Sequence, residues 1–252
     1  MARGDHRAGA QRPSTQALAG LVAAAAVYNN ALNLLRPSAP TVQYVGLNTA
    51  AAAAVVAVGR RLGLDDEAMG LSRRQWRSGA VWAARAVAGV AAIVAAVAAI
   101  PATTGLLDDR RADVEPADFW RWIGVRIPLG TVVLEEVTFR GVLYGALASR
   151  WSPRAAAAGS SAVFGVWHVV PTLHTLEIND PGASRRAKVA AVAGGVATTT
   201  LAGIPLCFLR RRGGGILAST AAHVAANVLF TSAAWRRRRG SDRATPSPHV
   251  DE

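Results

Sequence analysis

The chain has 252 residues, 51% of them hydrophobic and 17% charged, with a mean hydropathy of +0.23. That balance excludes an ordinary soluble domain and places a membrane protein first. A formal charge of +12 would suit nucleic acid, but the arginines fall in short clusters with no stacking aromatics interleaved, so no nucleic-acid partner is expected.

The apolar residues gather in blocks of the length a helix needs to cross about 30 Å of hydrocarbon. In chain order, a polar basic arm (1–14) carries Arg3, Arg7 and Arg12. Seven blocks follow, from Gln16 to Leu35, Val42 to Gly59, Ala80 to Ile100, Ile123 to Leu147, Ala155 to Val170, Val189 to Leu209 and Gly215 to Trp235. Leu18 to Val27 has the make-up of a signal-peptide core, yet the run continues through Tyr28, Asn29, Asn30 and Asn33 to Leu35, which reads as an uncleaved first span. Arg60-Arg61, Arg73-Arg74, Arg210 to Arg212 and Arg236 to Arg239 punctuate the blocks, and Trp76, Trp82, Trp120, Trp122, Trp151 and Trp235 lie near block ends, where an indole keeps its N–H in the wet interface. Asn179 to Gly182 is a turn by composition, with His174 beyond Pro171 in the loop before it. The tail from Gly240 to Glu252 is polar and expected to be disordered.

The expected fold is all-α, a polytopic transmembrane bundle of about seven spans. Residues 15–118 supply the first helices and loops, and 119–239 a second unit. The connection from Arg60 to Gly79 holds five arginines, whereas that from Pro101 to Asp118 holds five acids against two, which places the N-terminus in the cytoplasm of a cell-membrane protein. An odd number of spans then leaves Arg236 to Arg239 on the opposite side from Arg210 to Arg212, against the charge rule. Cys207 is alone, so neither an internal disulfide nor a cysteine metal site is available, and it reads as a small buried hydrophobe.

Of the sixteen Asp and Glu residues, only Glu135 and Glu136 fall deep in an apolar block. A charge at mid-bilayer costs about 2.5–3.5 kcal/mol by insertion scales. Arg140, one helical turn after Glu136, is placed to pair with it, which leaves Glu135 free to face a neighbouring helix as a general base. Phe164 and His168 share a face of the fifth block, and His223 and Asn227 a face of the seventh. Each pair has an innocent explanation in packing or helix bridging, and Phe164 and Trp167 read most simply as packing. Two carboxylates, an arginine, two imidazoles and a carboxamide on three helices nevertheless make a hydrolytic kit.

Glu135-Glu136-Val137-Thr138-Phe139-Arg140 has the form EExxxR, Phe164 to His168 the form FxxxH, and His223 to Asn227 the form HxxxN. In this the chain resembles the CAAX-processing and bacteriocin-processing (CPBP) intramembrane proteases, which include the type II CAAX prenyl endopeptidases. The similarity runs from about Ile123 to Trp235, under half the chain, and no motif position departs from the pattern.

The resemblance implies an intramembrane endopeptidase in which Glu135 activates water with His168, while His223 and Asn227 stabilise the oxyanion. Glu136 and Arg140 would hold the site together, with Phe164 in support. The family has been described as zinc-dependent, but no HExxH pair occurs here, so a Zn²⁺ held by Glu135, His168 and His223 and a metal-free water both stay open. The expected partners are the lipid bilayer and a peptide or membrane-anchored protein substrate. Heavy use of Arg over Lys and the abundance of Ala suggest a GC-rich bacterial genome, which argues against a prenylated eukaryote-type substrate. A non-catalytic immunity or scaffold protein and a proton-coupled transporter are the alternatives.

Overall fold

The computed structural model describes residues 13–35 and 39–244. Most of the basic arm and most of the tail lie outside them. Every regular element among the described residues is helical. Helix α1 spans Thr15–Leu35, α2 Thr41–Arg61 and α3 Trp76–Ala99; α4 is the continuous run 116–148, α5 Pro153–Trp167, α6 Val169–Asn179, α7 Arg185–Gly213 and α8 Leu217–Ala244. Short 3₁₀ turns fill the 101–112 connection.

Local chemistry marks where these helices begin and end. Ser152 and Ser184 accept hydrogen bonds from Ala155 N–H and Ala187 N–H, capping α5 and α7, and Pro153 takes the first turn of α5, where its missing N–H costs nothing. Gly214 ends α7 in the left-handed region at φ +75°. A Cβ there would collide with the Gln75 side chain.

The seven sequence blocks match α1 to α5, α7 and α8. Four helices, α2, α3 with its preceding turn, α7 and α8, are long and apolar enough to cross a membrane, or five if α5 and α6 count as one bent span. The expected count of seven is therefore not reached by length and hydropathy alone. A separate difference is α6, expected as a loop around His174. After a 42° bend the helix resumes, because Pro171 falls in its first turn, where proline is tolerated.

Contacts between helices fix the chain's course. Tyr44 meets Thr131 and a Cβ at Gly59 would meet Val142, so α2 and α4 run parallel; Cys207 meets Ala157 and Gly165 lies against Val196 and Thr200, so α5 and α7 run antiparallel. Helix α4 is the axis, with residues 134 to 147 buried almost without interruption among Leu18, Leu21 and Ala25 of α1, Ala52 of α2, Phe164 and Trp167 of α5 and Cys207 of α7. By contrast α3 and α7 leave Val81, Ile93, Leu201, Ile204 and Phe208 exposed, an apolar exterior suited to lipid.

The charge anomaly of the last helix has a local answer. Arg237 Nε donates to Asp108 Oδ1 at 2.8 Å, and Arg238 Nε to the Asp109 carbonyl at 2.8 Å, so the acidic 101–118 connection offsets that basic run. Trp235 joins the same end by stacking on Phe119 and donating its N–H to the Val114 carbonyl. Cys207 is buried beside Ser161, as expected of a small hydrophobe.

Candidate active site

Helix α4 carries the acids, and it is not a regular α-helix. Residues Trp122–Val132 and Val137–Leu143 follow the wider π pattern, in which Val133 N–H reaches the Pro128 carbonyl five residues back. Pro128 lacks the N–H that a regular ladder needs, and π segments are rare in helices and frequent at functional sites. The short regular turn between them, Val133–Glu136, presents both acids.

Glu136 and Arg140 are both wholly buried, with Arg140 Nη1 3.1 Å from Glu136 Oε1. The pairing read from the one-turn spacing therefore stands despite the π geometry. The guanidinium also lies over the Phe164 ring, 4.1 Å from its centroid, yet among the described residues none of its N–H groups has a well-aligned acceptor. This is an ion pair shaped by charge and ring contact more than by directed hydrogen bonds.

Helix α8 brings His223 between the two acids. Its Nδ1 lies 2.9 Å from Glu136 Oε1 and its Nε2 3.5 Å from Glu135 Oε2. Facing an acceptor already paired with Arg140, Nδ1 carries the proton of that bond. Glu135 is 4% exposed, and its Oε1 accepts from the Trp167 indole N–H at 2.9 Å. Trp167, expected only to pack, thus touches the proposed base. It packs as well, edge-on to Phe139 at 5.2 Å.

His168 ends α5. Its Nδ1 stands 2.8 Å from the Phe164 carbonyl, which can only accept, so Nδ1 bears the hydrogen and Nε2 keeps a lone pair. The Phe164 ring is edge-on to His168 at 4.6 Å and to His223 at 5.8 Å, which places it between the two imidazoles. Asn227 follows His223 by one turn and is partly buried, with no hydrogen bond to its carboxamide among the described residues. The three motifs are thus on adjoining helices around Phe164.

Residues 117–229 match the family of type II CAAX prenyl endopeptidases, Rce1-like. No curated protein and no solved structure matches the chain. The Rce1-like segment contains every motif residue and leaves α1 to α3 outside. The matched family is one of CAAX-type proteases, and the chain that resembles it has several helices apolar enough for a membrane.

A resident metal fits this donor set poorly. Among the described residues no three His, Cys, Asp or Glu side chains form a metal-holding group. The His223 Nδ1–H faces Glu136 and leaves Nε2, 3.5 Å from Glu135 Oε2, as the free nitrogen of that ring, but among the described residues no third ligand joins those two. Arg126 also stays out of the site, since it donates to the Ala39 carbonyl and lies 3.9 Å over the Tyr44 ring. Arg85 stacks near Trp82.

Sequence reasoning missed Trp167 and a second buried arginine, Arg210. Its Nε donates to the Arg140 carbonyl at 3.2 Å, and its Nη2 to the carbonyls of Glu67 and Ala68. Arg210 therefore ties the 62–72 loop and the end of α7 to the helix that carries the acids. Its place in an interfacial Arg cluster concealed this, because only tertiary structure separates a buried member from a solvated one.

Proposed function

We propose that the protein is an intramembrane endopeptidase that cleaves a peptide or membrane-anchored protein with a Glu135-activated water and no resident metal. The reading rests on one observation above all: His223 stands between two buried acids, one neutralised by Arg140 and the other held by Trp167. Glu135 is then a fixed, desolvated carboxylate, as a base requires.

The proton inventory is closed by these residues. A water held by Glu135 and the lone pair of His168 Nε2 gives a proton to Glu135 as its oxygen attacks the scissile carbonyl carbon, and the carbonyl π electrons move to oxygen. The neighbouring Nε2 of His223 takes that proton from Glu135, and as an N–H it donates to the oxyanion alongside the Asn227 carboxamide. Collapse breaks the C–N bond, and the proton returns through Glu135 to the leaving amine. Glu136 and Arg140 keep the His223 ring oriented throughout, with Phe164 setting the separation of the imidazoles.

The membrane placement follows from charge. The end bearing Arg60, Arg61, Arg73, Arg74 and Arg210 to Arg212 faces the cytoplasm, which puts the N-terminus there as well. The test is cleavage of a peptide library by purified protein in lipid. Glu135→Gln, His168→Ala and His223→Ala are expected to abolish turnover while the protein still inserts, and chelators to leave the wild type unaffected. Full turnover by the three variants would end the proteolytic reading, and loss on chelation restored by Zn²⁺ would end the metal-free one.

A further inference from the structure

The chain breaks at the residue that the proposed mechanism most needs to hold. Helix α5 ends at Trp167, His168 leaves the helical region with φ −94° and ψ 7°, and α6 departs at 42°. One regular backbone bond is lost outright there. The Trp167 carbonyl would accept from residue 171, but Pro171 has no N–H. The Val166 carbonyl accepts a backbone N–H at the end of α5 and has a second lone pair for another donor.

Helix α1 supplies the substitutes. Asn29 Nδ2 donates to the Trp167 carbonyl at 3.0 Å. The Asn30 carboxamide bridges the same turn, donating from Nδ2 to the Val166 carbonyl at 3.1 Å and accepting at Oδ1 from Val170 N–H at 2.9 Å. One side-chain amide thus ties the end of α5 to the start of α6, and the ladder resumes with Thr172 N–H to the His168 carbonyl at 2.9 Å. Tyr28, the residue before the pair, stacks on the Trp167 ring at 6.0 Å. The clamp therefore grips both sides of His168 and the backbone of Trp167, whose indole reaches Glu135.

Resting on the Glu135 reading above, we infer that Trp167 is a positioning residue for the Glu135 carboxylate and that Asn29 and Asn30 of α1 hold the helix break presenting Trp167 and His168. A helix outside the segment matched by the family thereby becomes part of the catalytic apparatus. Unsatisfied buried backbone groups are costly, so a clamp of this kind is needed wherever a span breaks in hydrocarbon.

The experiment combines kinetics with a spectroscopic readout that needs no turnover. In full-length protein labelled with ¹⁵N-tryptophan, the Trp167 indole N–H resonance, assigned by its absence in Trp167→Phe, is expected to move in Glu135→Ala and in Asn29→Ala/Asn30→Ala. The other six indole resonances are expected to stay in place. Trp167→Phe should lower kcat about tenfold, and the double Asn variant about a hundredfold, each with KM within about twofold of wild type. Should the double variant fail to insert, the partly buried Asn30→Ala alone is read the same way. A Trp167 resonance unmoved by Glu135→Ala, or kcat within twofold of wild type in both Trp167→Phe and the Asn variants, overturns the inference. If Glu135→Ala moves the resonance yet cleaves like wild type, it is the proteolytic role of Glu135 that fails, and the clamp stands as structure only.

Discussion

Removing the Arg140 guanidinium alone should cost more than removing the whole ion pair. In Arg140→Ala, Glu136 stays buried with only the His223 N–H facing it, and breaking such a pair typically costs about 3–5 kcal/mol. At 0% exposure for both side chains and a 3.1 Å separation, no solvent softens the loss. Contact with the Phe164 ring at 4.1 Å adds up to about 2 kcal/mol for a desolvated cation, though the two terms share one side chain and do not simply sum. A loss near 4 kcal/mol lowers the ratio of folded to unfolded protein about a thousandfold. Glu136→Gln/Arg140→Met removes more charge but strands none: the Gln carbonyl still accepts from His223 Nδ1, and Met fills much of the vacated volume. Its cost should stay below about 2 kcal/mol. Reversible unfolding in mixed micelles by an increasing fraction of denaturing detergent measures both. The reasoning fails if Arg140→Ala lies within about 1 kcal/mol of wild type or if the double variant is as costly as the single. Activity separates the enzyme from a non-catalytic scaffold, because Glu135→Gln should leave unfolding almost unchanged and still end turnover.

Two further perturbations test other parts of the molecule. Gly165→Ala would bring a Cβ against the Thr200 hydroxyl and to 2.7 Å from the Val196 carbonyl, which cannot rotate away, so α5 and α7 must separate; both the melting temperature and cleavage should fall, whereas Gly89→Ala, with nothing within 4 Å, should alter neither. Asp109 reports on pH: burial opposes its ionisation, but hydrogen bonds from Arg111, the Arg111 charge and the Asn179 amide outweigh it and hold the carboxyl below its usual range. A carboxyl depressed in the folded state stabilises fully above its unfolded pKa, about 3.9, and loses that contribution as pH falls through the lower folded value. The melting-temperature gap between wild type and Asp109→Asn should accordingly be constant from pH 7 to 5 and close in stronger acid. Because the side chain is one-quarter exposed, the gap should correspond to less than about 1 kcal/mol.

The legible part of this fold was its lipid-facing part. Long apolar blocks bounded by Arg and Trp have no other economical explanation, so the helices fell where hydropathy placed them. Helix α6 was hidden because a proline-bearing stretch between two apolar blocks reads as a loop, and only packing against α1 and α7 makes it helical. The span count suffers from a related effect. Helix α4 serves the interior, and the charges it carries for that purpose lower the apolarity by which a span is recognised.

In the site, spacing along one helix was readable and contact between helices was not. One-turn separation was enough for Glu136 and Arg140, and it put His223 and Asn227 on one face. It was silent on which acid His223 would meet, and the answer is both. Nothing in the local sequence connects Asn29 and Asn30 to a break lying well over a hundred residues later, although the oddity was visible, two adjacent amides in an alanine-rich span. A polar residue that survives in hydrocarbon must have a partner. Pro171 supplies the complementary signal, a span in which one carbonyl has lost its donor. Pairing those two anomalies, the surplus amides of one helix with the missing donor of another, is an inference that physical chemistry allows from sequence alone. It would have placed α1 against the α5–α6 break before any coordinate was known.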